Sequence, residues 1–594
     1  GLYRTSSIRL TAKPGLWAES LAVAEQELRR ALEHGFQPAE LREVTAAFRN
    51  SLEQAVRTAP TRRSGALATT LISGVVNDTV FTHPADNLAL LGPALDAITP
   101  EDCLAALREV WTAPGRHVLV SGETVIPGDA AAAITAVYTA AQAVAVSAPP
   151  AIEETAFAYT DFGPAGKITR REHVADLDLT LVTFANGVRL NLKPTDFEAG
   201  RVQVSARFGR GRLIEPADRR GLAWLAGNTF TAGGLGRHSS DDLRRILAGR
   251  NVGVGFSVAA DAFALGGSTT AQDLPLQLQL MGAYLTDPGY RAEAMRQAKQ
   301  GIAQMYRGFN HTPDGPLMLE VQSLLAGGDH RFGLPAQAQM EQLTLEDVRA
   351  WLAGELAQGA IEIALVGDFE LEAAIAAVAR TFGALPPRAA PSDDESLRRL
   401  SLPEEPFDLT YRVVTEIPKG QITLYWRTTD GRDVQTARRL NLLGSVLRDR
   451  LRVKIRNELG GAYSPGAGSN TSDVYPGYGW MQAGVTVDPE QAAHIREAVV
   501  QIAAELQRDG VTAEELERAK LPQLTGIRES VRTNGYWLGS VLSRAQEKPE
   551  VLDWARTRLA DVESITAEEL SAFAREYLGA DRAFRVTILP AAQE

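Results

Sequence analysis

The feature that most constrains the fold is a helix start that occurs three times along the chain. In each copy a threonine is followed three residues later by an acid, so that the hydroxyl caps the helix and the carboxylate lies near the exposed amides. Thr99, Thr344 and Thr566 are about 245 and about 222 residues apart, a spacing that predicts repeats of domain size rather than a solenoid. The copies read "AITPEDCLAALREVW" (97–111), "QLTLEDVRAWLAGEL" (342–356) and "SITAEELSAFAREYL" (564–578).

A β-rich run follows each of these helices, and further β-rich runs open the second and third repeats. The segment 179–194 places two runs around Asn186-Gly187, the strongest short signal for a β-hairpin. The segment 409–428 predicts another strand pair. No such opening precedes Thr99, so the first repeat is predicted to lack about 60 residues at its start. The runs after the helices are "RHVLVSG" (116–122), "IEIALVGD" (361–368) and "FRVTILP" (584–590).

These signals divide the chain into three domains and two linkers. The linkers are rich in Ala and Pro, or in Pro and charged residues, as connectors between domains are. Strands in hairpins and helices in pairs favour an α+β fold, with antiparallel-rich sheets covered by helices, over a doubly wound parallel sheet. The predicted map is a truncated domain at 1–142, a linker at 143–166, a domain at 167–384, a linker at 385–406 and a domain at 407–594.

Composition excludes several classes of function. With 61 Lys+Arg against 73 Asp+Glu, the 594-residue chain has a net charge of -12 and no basic block of the kind that follows phosphates, so nucleic acid is not an expected partner. No apolar run approaches the ~18 residues needed to span a bilayer. The single cysteine, Cys103, rules out an internal disulfide framework and a multi-thiolate zinc site.

The motif that most clearly suggests a functional site is "RNELGGAYSPGAGS" (456–469). Arg456 ends an apolar-periodic helix and Gly460-Gly461 breaks it, so Tyr463 follows on a turn or strand close to the helix end. A guanidinium and a phenol hydroxyl aimed at one point can hold a peptide carbonyl and stabilise the oxyanion that forms when water attacks it. A purely structural role for both residues is the alternative.

This segment resembles the C-terminal-domain signature of the insulinase/pitrilysin family of inverted zincin metallopeptidases. In that signature an Arg, and a Tyr seven residues later across a Gly-containing turn, contact the substrate at the scissile bond. The resemblance therefore implies that Arg456 and Tyr463 bind substrate. It extends over the chain and implies tandem LuxS/metallohydrolase-like domains that form half of a clamshell, namely a truncated second, a degenerate third and a fourth insulinase-like domain.

The same resemblance bears on "GLAWLAGNTF" (221–230). In the family's first domain the corresponding helix reads HxxEH, in which two histidines on one helical face hold zinc and the glutamate polarises the zinc-bound water. Here Trp224 stands in place of the first histidine, Gly227 in place of the glutamate and Asn228 in place of the second histidine. The resemblance implies that this chain holds no zinc of the family type and contains no catalytic residue.

No other signature replaces the missing zinc motif. The eight histidines are scattered, and no two lie within two helical turns of each other. A zinc site assembled from distant groups, such as His311 and His330 with a carboxylate, is left open, with solitary structural histidines as the alternative. Neither a GxSxG elbow nor a recognised local Cys/His pair is present, so serine and cysteine peptidases have no support.

The sequence thus predicts the C-terminal, non-zinc-binding portion of a zinc metalloendopeptidase, which contributes substrate binding and oxyanion stabilisation. The zinc is expected on an HxxEH domain in cis or on a catalytic partner subunit, and this chain alone is expected to be inactive. The alternatives are a dedicated inactive subunit of a heteromeric insulinase-family protease and a non-catalytic peptide-binding or structural protein. The resemblance favours the periplasm, with the cytoplasm left open.

Overall fold

The computed structural model describes residues 6–12, 15–111, 115–122, 124–152, 155–391, 394–458 and 465–591, with the side chains of 456–458 outside that description. The chain forms two compact units. The first unit comprises residues 1–157 and 242–251, and the second comprises residues 158–241 and 252–594. Among the described helices, none is both long enough and apolar enough to cross a membrane.

The first unit is built from helices. These are α1 (Trp17–His34), α2 (Pro38–Thr58), α3 (Ser64–Val76), α4 (Pro84–Ala97), α5 (Pro100–Trp111) and α6 (Ala130–Gln142). α1 packs on α6, where Arg29 donates a hydrogen bond to the carbonyl oxygen of Ala141. α2 packs on α4, and residues 242–251 join α2 through reciprocal amide hydrogen bonds between Asn50 and Asn251.

The β-rich run at 116–122 does not form a strand, so this prediction is wrong. The described residues of the first unit contain no strand at all, and Leu119 is 87% exposed. A strand satisfies its backbone hydrogen bonds only by pairing with a neighbour. The run therefore stays irregular because the described part of this unit offers it no strand to pair with.

The second unit contains two sheets and the helices that cover them. Its strands are β1 (Ile168–Val174), β2 (Leu179–Phe184), β3 (Arg189–Pro194), β4 (Val202–Phe208), β5 (Gly255–Val258), β6 (Phe263–Thr269), β7 (Ile361–Gly367), β8 (Asp408–Val413), β9 (Gly420–Arg427), β10 (Gly466–Thr471), β11 (Gly479–Val487) and β12 (Phe584–Pro590). The helices after β4 begin with α7 (Leu222–Thr229) and α8 (Ser240–Ile246), whose residues from 242 onward belong to the first unit.

The remaining helices all belong to the second unit. They are α9 (Leu274–Thr286), α10 (Ala292–Asn310), α11 (Asp314–Pro316), α12 (Gln322–Leu325), α13 (Gln337–Gln342), α14 (Leu345–Gln358), α15 (Leu371–Arg380), α16 (Glu395–Arg398), α17 (Val434–Leu451), α18 (Ala492–Asp509), α19 (Ala513–Ser530), α20 (Asn534–Tyr536), α21 (Glu550–Ser564) and α22 (Ala567–Tyr577). π-Helical turns at Leu317–Val321, Arg452–Glu458 and Trp537–Val541 continue α11, α17 and α20.

The two sheets follow one plan. The seven-stranded sheet has the order β1-β2-β3-β7-β4-β6-β5, and the five-stranded sheet has the order β8-β12-β9-β11-β10. In each sheet the strand after the capped helix lies inside, parallel to one neighbour (β3 or β8) and antiparallel to the other (β4 or β9). The other pairs are antiparallel. The predicted α+β fold with antiparallel-rich sheets is confirmed.

The two predicted strand pairs have different outcomes. The hairpin at 179–194 is confirmed, since β2 and β3 pair across Asn186-Gly187, where Gly187 has a φ of 87°. At 409–428 both strands form, but β12 lies between β8 and β9, so the prediction that they pair with each other is wrong. Between β8 and β9 the apolar strand β12 is paired on both edges. If β8 and β9 paired with each other as a hairpin, β12 could not occupy this central position.

The three predicted helix caps are confirmed. Thr99, Thr344 and Thr566 each accept a hydrogen bond from the backbone N–H three residues later, and the acid at that position accepts one from the threonine's own N–H. α19 begins with the same arrangement at Thr512 and Glu515. A cap of this kind stabilises a helix by about 1 kcal/mol and fixes where it begins.

In the second unit, each repeat lays a helical segment on the sheet of the other repeat. Residues 534–545 cover the seven-stranded sheet, where Val541 is buried against β2 and β7. Residues 314–325 cover the five-stranded sheet, where Val321 and Leu325 are buried against β8, β9 and β12. This reciprocal packing joins the two repeats, because each completes the other's core.

Candidate functional site

Helix α7 carries the positions that a zinc signature would occupy. It follows Gly221, which has a φ of 99° and no side chain with which to cap the helix. Glu215, 4% exposed, supplies the cap instead, since one carboxylate oxygen accepts the N–H groups of Gly221 at 3.0 Å and Ala223 at 3.1 Å. Glu215 could not be predicted from the sequence, because a cap several residues upstream of a helix has no local signature.

The three substituted positions of α7 do not fit a zinc ion. Trp224 is partly buried, and a Cβ atom at Gly301 of α10 would lie 3.9 Å from its ring. Gly227 and Asn228 are exposed, and the Asn228 amide donates to the carbonyl oxygen of Trp224 at 2.8 Å. An indole, a glycine and an amide turned back onto its own helix lack the imidazole, thiolate and carboxylate groups that bind zinc. No catalytic step is therefore assigned to this helix.

The histidines considered for a distant zinc site make other contacts. His311 Nδ1 lies 2.6 Å from the carbonyl oxygen of Val414, and His330 Nε2 lies 2.7 Å from that of Glu215. Across the described residues, no group of three or more His, Cys, Asp or Glu side chains is arranged to hold a metal ion. The structure thus does not bring His311 and His330 into such a group.

Arg456 lies in the π-helical turn that continues α17. Leu451 and Ile455, both 0% exposed, hold this stretch against the core of the last repeat. The side chain of Arg456 and the whole of Tyr463 lie outside the described residues, so their convergence remains a prediction. The structure does define the frame around them, with α17 before the pair and β10 after it.

An ion pair fixes the end of α17 that leads to Arg456. Arg450 donates to the two carboxylate oxygens of Glu515 at 2.6 and 2.9 Å, and to the carbonyl oxygen of Gly510 at 2.7 Å. Burial alone raises the pKa of Glu515, but hydrogen bonds from Arg450 and Thr512, with the charge of Arg450, outweigh it and lower the pKa to about 2. The end of α17 is thereby anchored on the start of α19, a contact that no sequence pattern revealed.

Because of this ion pair, the free energy of unfolding should depend on pH in the acidic range. Because the pKa of Glu515 is about 2 in the folded chain and 4.5 ordinarily, the stabilisation is complete above pH 4.5 and is lost as the pH falls toward 2. We expect Arg450→Met to lower the free energy of unfolding by about 1–2 kcal/mol at pH 7 and by less than about half of that at pH 3. Urea titrations at the two pH values measure this.

Arg508→Met is the matched control, because Arg508 pairs with its neighbour Asp509 and both side chains are more than half exposed. We expect it to change the free energy of unfolding by less than about 0.5 kcal/mol at either pH. Equal costs of Arg450→Met at pH 7 and pH 3 would show that Arg450 acts through packing and not through its charge.

A close contact between α17 and β10 sets the position of the strand that follows Tyr463. A Cβ atom on Gly444 would lie 2.9 Å from Cα of Gly468. We expect Gly444→Ala to destabilise the chain by about 1–3 kcal/mol, because the added methyl meets backbone that cannot rotate away. This outcome runs against helix propensity, which favours Ala over Gly by about 1 kcal/mol.

The control for this substitution is Gly526→Ala on α19, where an added Cβ meets no atom within 4 Å. Here only helix propensity acts, and we expect stabilisation by about 0.5–1 kcal/mol. Thermal unfolding midpoints of the two variants should move in opposite directions. A rise in both midpoints would contradict the close helix–strand contact.

Comparison with known proteins places this frame in a family. Residues 342–522 match the family model described as the peptidase M16 inactive domain. This match covers 181 of the 594 residues and includes α17, so this part of the chain is an M16 inactive-domain segment. The chain is similar to the probable zinc protease PqqL of Escherichia coli K12, with 23% identity over 476 residues that cover 78% of this chain and 50% of PqqL. It is also 23% identical to the chloroplastic stromal processing peptidase of Pisum sativum over 425 residues, 62% of this chain and 33% of that protein.

Solved structures of two proteases share the fold of this chain. The crystal structure of PqqL from Escherichia coli has a TM-score of 0.62 at 20% identity and covers 96% of this chain and 63% of PqqL. The ferredoxin protease FusC, solved with Arabidopsis ferredoxin, has a TM-score of 0.67 at 16% identity, covering 98% and 64%. The resemblance to the insulinase/pitrilysin family is confirmed. The chain spans one third to one half of the length of these curated relatives.

Proposed function

We propose that this chain is the non-zinc-binding half of a zinc metalloendopeptidase that encloses a peptide substrate. The observation that carries the proposal is the α7 helix of an M16 fold, in which Trp224, Gly227 and Asn228 stand where the zinc signature would be. The matching M16 model is itself described as an inactive domain. The chain nevertheless retains Arg456 and Tyr463 at the spacing of the substrate-contacting pair.

In this proposal the chain contributes a guanidinium, from the turn that follows α17, and a phenol hydroxyl to the carbonyl oxygen of the scissile bond. Arg456 and Tyr463 bind that oxygen and stabilise the negative charge that develops on it. Contacts from Arg450 to Glu515 and from Gly444 to β10 fix the two elements that flank this pair in the sequence, α17 and β10. The zinc, which would supply the activated water, belongs to an HxxEH helix outside this sequence.

The mass of the native protein in its source cells tests the proposal. An immunoblot with an antibody against residues 407–594 should show a band above 64.0 kDa by roughly one and a half repeat masses, with the HxxEH helix on the same polypeptide. A band at 64.0 kDa that copurifies with an HxxEH protein places the zinc on a separate subunit. A band at 64.0 kDa without any such protein would overturn the proposal.

The purified 594-residue chain gives a second test. We expect substoichiometric zinc by elemental analysis and no hydrolysis of unfolded peptides, because α7 offers no zinc ligand at the signature positions. The assembled protease, by contrast, should contain zinc and lose activity in the presence of a chelator. Tight stoichiometric zinc together with turnover by the isolated chain would contradict this expectation.

A further inference from the structure

A cavity of about 320 Å³ opens at one end of the seven-stranded sheet. Its wall combines the starts of β3 and β7, the ends of β4 and α14, residues 389–391, and residue 547. This volume is at the lower end of the ~300–1,000 Å³ that is typical of small-molecule sites. The cavity therefore has room for a small ligand and not for a folded partner.

A row of three charged side chains crosses the inner strands of the sheet at this cavity. Glu362 of β7 is in register with Arg189 of β3 and with Arg207 of β4, so the three share one face of the sheet and line the cavity together. On the face of the five-stranded sheet that is covered in the same way, the inner strands carry Tyr425 and Phe584, and both are buried. The fold therefore does not require charged residues at this position, and a binding role explains them.

Two arginines of the wall have N–H groups to spare. Arg189 lies 3.2 Å from Glu362 and 3.7 Å from Glu547, yet it donates no hydrogen bond to a described residue, although its side chain is only 12% exposed. Arg398 of α16 has neither an ion pair nor a hydrogen bond with any residue that the structure describes. A guanidinium presents five N–H donors in a planar fork that fits a carboxylate. The cavity thus offers donors to a ligand carboxylate.

The wall also has a carboxylate with oxygen atoms to spare. The side chain of Glu547 is 31% exposed and accepts no hydrogen bond within the described part of the chain. The other carboxylates of the described wall each accept at least one hydrogen bond, and they are Asp261, Glu355 and Glu362. An ammonium group is the ligand group that a free carboxylate binds best in such a place. The cavity therefore has partners for a positive group as well as for a negative one.

We propose that this cavity binds a small zwitterion with an α-ammonium and a carboxylate group, namely a free amino acid or a dipeptide. Arg398 and Arg189 hold the carboxylate, and Glu547 holds the ammonium. Four arginines and four carboxylates line the described wall, so a ligand without net charge is favoured over inorganic phosphate. This binding is independent of the proposed function, because all of these groups lie in the present chain.

Isothermal titration calorimetry of the 594-residue chain with dialanine and with L-alanine tests the binding. We expect one site, and the tighter of the two probes separates a dipeptide from a free amino acid. Dialanine amide has no carboxylate and N-acetyl-dialanine has no ammonium, so each should bind at least about tenfold more weakly than dialanine. Inorganic phosphate is the control for an unspecific anion site.

Variants assign the two ligand groups to their partners. Arg398→Met should weaken binding of the zwitterion at least about tenfold. Arg399→Met should change it by less than about twofold, since Arg399 is exposed and is not part of the described wall. Glu547→Gln should weaken binding of dialanine but not of N-acetyl-dialanine, and it keeps the hydrogen bond from the backbone N–H of residue 547 to Glu362. Circular dichroism confirms that each variant is folded.

Hydrogen exchange locates the site without any substitution. Amides of residues 354–360 and 546–548 should exchange more slowly with saturating dialanine, whereas those of residues 513–530 should not change. The proposal is overturned if neither zwitterion binds at up to about 10 mM, or if dialanine and its amide bind equally. Equal affinity of Arg398→Met and the unsubstituted chain, or binding of phosphate in place of both zwitterions, would overturn it as well.

Discussion

Replacing Arg456 with leucine should lower kcat/KM of the assembled protease by about 100- to 1000-fold, the effect of losing one donor to an oxyanion. Leucine has a helix propensity similar to that of arginine and retains part of its apolar side chain. The substitution should therefore lower kcat/KM without lowering the stability of the fold. Tyr463→Phe removes only the hydroxyl and should cost about 10- to 100-fold. The drop should appear mainly in kcat, because the oxyanion exists only in the transition state.

The matched control is Arg452→Leu on the same π-helical turn. Its side chain is 54% exposed, with Asp449 on the preceding turn 3.9 Å away. We expect kcat/KM to change by less than about twofold. If Arg456→Leu leaves kcat/KM unchanged in a folded assembly, Arg456 has the structural role that the sequence left as the alternative.

The largest loss of stability is expected from Glu362→Ala. This carboxylate in β7 is 1% exposed and accepts hydrogen bonds from Asn191 at 2.6 Å and from the N–H groups of Gln546 at 2.7 Å and Glu547 at 2.9 Å, with Arg189 at 3.2 Å. Truncation leaves two backbone donors without their acceptor and removes the nearer carboxylate of Arg189, whose side chain is 12% exposed and retains Glu547 at 3.7 Å, and together these losses should cost about 3–5 kcal/mol. Urea titration measures the loss, and hydrogen exchange should show the turn at 546–547 released from the sheet.

Two variants separate the causes of that loss. Burial raises the pKa of the Glu362 carboxyl, and Arg189 only partly offsets this, so a neutral amide is tolerated better than a methyl group. Glu362→Gln, which keeps one acceptor, should therefore cost less than Glu362→Ala. Glu372→Ala removes an ion pair with Arg171 at a carboxylate that is 72% exposed and should cost less than about 1 kcal/mol. Similar costs at Glu362 and Glu372 would contradict the buried network.

Part of the fold was predictable from short patterns. The capping boxes at Thr99, Thr344 and Thr566 were found because the threonine and the acid that form each box are three residues apart. The Asn186-Gly187 hairpin was found because a tight turn depends on two residues. The zinc-signature substitutions and the spacing from Arg456 to Tyr463 are equally local. Each of these features is determined by residues close together in the chain.

Other features could not be predicted because they depend on residues far apart in the sequence. Glu362 is a charged residue in an otherwise apolar strand, and such a residue is expected to face solvent. In the fold it is buried beneath a turn that lies more than 180 residues away in the sequence. Arg450 and Glu515 are 65 positions apart, and they anchor the end of α17. The frame of the candidate site therefore became visible only in the folded chain.

The sequence by itself determined where the capped helices begin, the β2–β3 hairpin, the α+β class and the resemblance that proved to be an M16 relationship. Only the tertiary structure decided that β12 separates β8 from β9, that 116–122 is not a strand, and that each repeat of the second unit covers the other's sheet. The physical reason is that a cap or tight turn is satisfied by neighbours in the chain. The backbone hydrogen bonds of a strand and the burial of an apolar face both require a partner surface from elsewhere in the chain. The residues of the strand or face do not determine whether that surface is present.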